Sequence, residues 1–189
     1  MGILNDLQGY VENVNPDELD KKMASGMLPP EGLHHAYLNG QRPCTANSGS
    51  HGYELTFKIL GGTHKGAEVK ETLWASDKEQ GKNRMMIFAH RLGIFTKVTE
   101  AGKSVYKPVE GKSDFIDCLG AEVIIDVKHE KWEKDGKSGT KAILSFEGLM
   151  PLDDKRAAKV ERGAKPAAGS AAAGVVAASK PTQKSFNDL

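Results

Sequence analysis

The chain has little of what many functional classes require. Its two cysteines, Cys44 and Cys118, lie far apart with no CxxC partner, so they form neither a disulfide framework nor a recognisable zinc site. No apolar run approaches the roughly 20 residues needed to cross a bilayer. The opening MGILNDLQGYVEN has neither the basic flank nor the long apolar stretch of a secretory leader. A soluble protein of a reducing compartment, with no membrane partner, is the expectation. Charge of one sign is also lacking: 26 basic side chains face 25 acidic ones, so any grip on a polyanion must come from local placement of Lys and Arg. The 189 residues leave no room for a two-domain cofactor enzyme.

Catalytic signatures are missing as well. There is no GxSxG, GxxxxGK[ST] or HExxH. The six histidines are scattered, and the adjacent His34 and His35 point to opposite faces of a strand, where they cannot share a metal. The sequence therefore predicts a non-enzymatic protein with no cofactor and no metal.

What is present falls into three regions. Residues 1–32 hold six acids against Lys21 and Lys22, with a short helix signal at Asn15-Pro16-Asp17, and read as an acidic extension, partly helical or disordered. Residues 153–189 contain ten alanines between Ala157 and Ala178, with Gly, Pro, Ser and Lys and no aromatic before Phe186. That composition buries too little apolar area to offset ordering entropy, and reads as a flexible tail. Residues 33–152 form the folded domain.

The domain alternates at period two. Tyr53, Leu55, Phe57 and Ile59 share one strand face, and a glycine-rich turn at Gly61-Gly62 and Gly66 leads into a strand from Val69 to Trp74. A first strand runs from Gly32 to about Leu38. After Ser76-Asp77 the period changes: Met85, Phe88, Ala89 and Leu92 form a helical stripe that ends at Gly93. A short helix follows at 113–119 after a long connection. Val123, Ile125 and Val127 lead a strand towards Trp132, Asp135-Gly136 signals a hairpin, and Ala142, Leu144 and Phe146 return as its partner. Five antiparallel strands with a helix between the third and fourth is the order of an OB-fold, so the expected architecture is an OB-like five-stranded barrel.

One constellation suggests binding. Trp132 shares its strand face with Lys128 and Lys134, and Lys131 and Lys137 are close by. Single strands are held by basic side chains on phosphates and by aromatic faces under bases. Arg42 in the loop after the first strand, Lys65 in the glycine-rich turn and Trp74 at the end of the third strand complete the candidate nucleic-acid set. The same hairpin also fits a solvated Lys-Glu ladder, with Trp132 covering the barrel end and Glu130, Glu133 and Asp135 blunting any attraction for phosphate. The alternative function is then an OB-like protein-interaction module.

From about Gly32 to Pro151 the sequence resembles the phage and prophage single-stranded-DNA-binding-like proteins. The resemblance lies in Tyr53–Ile59 leading into Leu60-Gly61-Gly62-Thr63-His64-Lys65-Gly66-Ala67, in Leu73-Trp74, in Arg91-Leu92-Gly93, and in Gly120-Ala121-Glu122-Val123 ahead of the lysine-rich hairpin. It implies an OB-like barrel, no catalysis, and single-stranded DNA as partner during phage replication or recombination in the cytoplasm of a bacterial host. Replication or recombination proteins are implied as further partners. The acidic extension and the basic tail depart from that pattern.

Overall fold

Alternating apolar residues build strands wherever one face can be buried, and here they build more of them than the sequence predicts. The computed structural model describes residues 28–76 and 78–165. Its strands are β1 (Gly32–Thr45), β2 (His51–Ile59), β3 (Glu68–Trp74), β4 (Phe95–Glu100), β5 (Lys103–Pro108), β6 (Glu122–Lys134) and β7 (Lys137–Met150). Helix α1 (Glu79–Arg91) lies between β3 and β4. The predicted helix at 113–119 is a single 3-10 turn, Phe115–Cys118, with a capping box between Asp114 and Asp117. Among the described residues no helix is long and apolar enough to cross a membrane.

Five strands form one antiparallel sheet in the order β3-β2-β1-β6-β7. This overturns the OB-like barrel: β3 and β7 remain edges with no backbone ladder between them, and the fold is a mixed α/β structure around an open sheet. The DNA-binding label loses whatever support the loops of a closed barrel lent to it.

The β7 edge is irregular. Between Ile125 and Val127 of β6 the register with β7 jumps from Leu149 to Leu144, so 145–148 leave the ladder as an enlarged bulge. Gly148 turns it at φ +60°, in contact range of the buried Phe88 ring. Where the edges do approach, a side chain joins them: the Glu71 carboxylate on β3 accepts the Leu144 N–H of β7 at 3.3 Å.

The stripe Met85, Phe88, Ala89 and Leu92 is buried against Leu38, Leu55, Phe57 and Val69 from one half of the sheet and Val123, Ile125, Val127 and Leu144 from the other. Tyr53 lies at the margin, its ring 5.4 Å from Phe115 in an edge-on contact.

β1 runs to Thr45, well past the predicted end at Leu38, and carries Pro43. β6 pairs with β1 only over Gly32–Tyr37, so Pro43 has β2 on one side and needs no donor on the other. The connection after α1 is not irregular: β4 and β5 make a separate hairpin turned by Ala101-Gly102, both at positive φ.

The segment after β7 lies on the outer face of the sheet. Ile124, Met150 and Ala157 form a second small core there with Leu33 and Val160. Ala157 and Val160, in the first part of the segment that the sequence reads as a flexible tail, thus pack on the sheet. The rest of that segment and the acidic extension up to residue 27 lie outside the described residues, as does Asp77 of the helix-start signal.

Candidate nucleic-acid interface

The β6–β7 hairpin projects as a two-stranded arm, because β6 continues seven residues past Val127, its partner opposite Gly32, before the Asp135-Gly136 turn. Both turn residues have positive φ, as a two-residue hairpin loop demands. Lys128, Lys131, Lys134 and Lys137 are all exposed on this arm. Among the described residues none of these four takes part in an ion pair, whereas Lys141 pairs with Glu130 at 2.7 Å. Glu31 receives the His129 N–H at 2.8 Å, and this bond holds its carboxyl below the usual range.

Trp132 is 40% exposed and faces Gly139 on β7. A Cβ placed on Gly139 would sit 3.0 Å from three indole atoms, Nε1, Cε2 and Cζ2, so the ring lies over the glycine. Trp74 is also set opposite a glycine, although there the Leu73 carbonyl, at 2.5 Å from a Cβ on that glycine, is closer than the ring. It is also 40% exposed, pairs with Gly52 on β2, and its Cε3 would stand 2.8 Å from a Cβ there. A glycine opposite an indole supports one ring face and leaves the other open.

The other predicted residues are dispersed. Arg42 is committed to Glu54 through two hydrogen bonds of 2.9 and 3.0 Å, which hold the Glu54 carboxyl low. Lys65 lies in the turn joining β2 to β3, at the opposite end of those strands from Trp74. Along the registers, Trp74 is level with Cys44 near the far end of β1, while Trp132 lies beyond its Gly32 end. The sequence set is thus one coherent arm, Trp132 with four lysines, and three outlying residues.

A groove of about 1010 Å³ follows the seam between β3 and β7. Three of its four acids are matched by bases, Glu54 by Arg42 and Lys70, Glu71 by Arg84 at 3.0 Å and Glu130 by Lys141, while Glu68, among the described residues, accepts only from the Asn39 amide at 3.4 Å. Burial pushes the Glu71 carboxyl above the usual range despite Arg84 and the Leu144 N–H. With four acids against Lys70, Arg84 and Lys141, this lining does not attract a phosphate backbone.

Two aromatic residues were not among the predicted contacts. Phe146, placed inward by simple alternation, is 48% exposed because the bulge rotates it out, and Tyr106 on β5 is 46% exposed. The break in alternation at Ser145-Phe146-Glu147-Gly148 is the signal that marks the first, and Val105-Tyr106 beyond Ala101-Gly102 marks the second.

Cys44 and Cys118 are free thiols, and no group of three metal-ligating side chains is found among the described residues. Comparison of the chain with protein-family models and with characterised proteins finds no match.

Proposed function

We propose that the protein binds single-stranded DNA without catalysing a reaction, in the phage replication or recombination setting that its sequence resemblance implies. The observation that carries this is Trp132, 40% exposed over Gly139, on an arm whose Lys128, Lys131, Lys134 and Lys137 are exposed and make no ion pair among the described residues. A base stacked on an exposed indole contributes about 1–3 kcal/mol, and lysines that follow the phosphates add a salt-sensitive term. The reading rests on side chains and needs no closed barrel.

A protein-interaction module is the competing reading, favoured by Glu130, Glu133 and Asp135 on the same arm. Anisotropy of a labelled oligo-dT, measured against a duplex of equal length across a salt series, separates the two. Single-strand preference with affinity falling steeply as salt rises supports DNA binding. Oligonucleotide affinity that is absent or indifferent to salt favours the module.

A further inference from the structure

Three half-exposed rings, Trp74, Phe146 and Tyr106, stand in a row on the face formed by the end of β3, the β7 bulge and β5. Each is supported. Trp74 lies on Gly52, the Arg84 guanidinium stands 5.5 Å from the Phe146 centroid, and the His90 ring is 5.0 Å from Tyr106. Arg84 is itself fixed, by Glu71 on one side and by the Phe88 ring at 5.4 Å on another. The rotamer entropy that an exposed aromatic loses on stacking is thereby largely spent before any ligand arrives.

Phe146 is the shared wall of two adjacent clefts. One, of about 290 Å³, lies between Trp74 and Phe146 and also presents Ser76, Lys78 and Gln80. The other, of about 530 Å³, lies between Phe146 and Tyr106 and presents Gln80, Asn83 and the Glu79 carboxylate, with no cation among the described residues that line it. The smaller is at the low end for ligand sites and suits a single ring system. In the smaller cleft, aromatic walls with a carboxamide, a hydroxyl and a cation at the rim match the flat face and polar edge of a nucleobase on a charged backbone; the larger adds the carboxamides of Gln80 and Asn83. Lys78, exposed at the rim of the smaller cleft, supplies the positive charge that a phosphate backbone calls for.

We infer that this row seats two consecutive bases of a single strand, one on each side of Phe146, as a contact region additional to the Trp132 arm. The inference rests on the single-strand reading above, and its test separates the two.

Oligo-dT carrying 5-iodouracil is cross-linked to the unmodified protein by light and the attachment sites are mapped by mass spectrometry. In parallel, anisotropy compares the wild type with Phe146→Ala and checks both for folding by circular dichroism. The expected result is attachment at Trp74, Phe146 or Tyr106, with binding weakened roughly 5- to 150-fold by Phe146→Ala. Attachment confined to residues 128–141, with Phe146→Ala binding normally, overturns the row and leaves the arm as the DNA contact. An oligonucleotide that does not bind at all overturns both. Should Phe146→Ala fail to fold, the cross-link map on the unmodified protein decides alone.

Discussion

The indole of Trp132 covers Gly139 across the β6–β7 ladder, and the absence of a side chain there is what lets the ring lie down. A Gly139→Val substitution would keep the strand and the tryptophan but lift the ring from its seat. The expected outcome is weaker oligo-dT binding at nearly unchanged melting temperature. Trp132→Ala should likewise remove less than about 1 kcal/mol of stability, since the side chain is outside the core. Thermal melts paired with anisotropy check both.

His35 holds the segment after β7 to the sheet. It is 4% exposed, and its Nδ1 lies 3.2 Å from the Gly163 nitrogen, which can only donate. The ring proton is therefore on Nε2, which donates to Glu122 at 3.1 Å. Burial, aided by the Arg162 charge and opposed by Glu122, lowers the His35 pKa from its usual 6.5. A group whose folded pKa is depressed takes up a proton on unfolding, so its stabilisation is full above pH 6.5 and falls as pH drops through the folded value. Hydrogen exchange, corrected for intrinsic rates, should show residues 158–165 protected at neutral pH and opening in mild acid. His35→Gln should remove this dependence.

Glu71 joins the two sheet edges and is largely buried, so truncating it strands Arg84 and the Leu144 N–H. Glu71→Ala should cost about 2–4 kcal/mol, read by urea denaturation. Because its folded pKa is raised, wild-type Glu71 contributes least once it is ionised: its contribution falls as pH rises from 4.5 through the folded value.

Gly148 sits at φ +60° with its missing Cβ 2.7 Å from the Phe88 ring. Gly148→Ala combines left-handed strain with a clash against a fully buried aromatic. A loss of about 2–4 kcal/mol is expected in the same denaturation assay.

How much of this was legible depended on range. The stripe from Met85 to Leu92, the strand from Leu55 to Ile59 and the Asp135-Gly136 hairpin each follow from local period or turn chemistry, and the structure shows all three. The β4–β5 hairpin was hidden because its strands are short and mostly exposed, so burial imposes no clean alternation on them. Closure of the sheet was misread because it depends on whether β3 and β7 meet, a relationship between residues over 60 positions apart that no local pattern encodes. The spacing of Trp132 and its lysines places them together on one arm, and the β6–β7 hairpin carries them there. The exposure of Phe146 is not legible in the sequence because a bulge, not the strand period, sets its direction.

The central claim is that DNA lies on the open face of Trp132. The chain has two tryptophans, so Trp74→Phe leaves Trp132 as the sole indole and keeps an aromatic ring at position 74. Titrating this variant with oligo-dT should quench its fluorescence, with an apparent affinity that falls linearly with the logarithm of salt concentration. Lys134→Ala should flatten that slope by about one unit. Saturation by the oligonucleotide with the Trp132 emission unchanged, or no binding at low salt, would contradict the account.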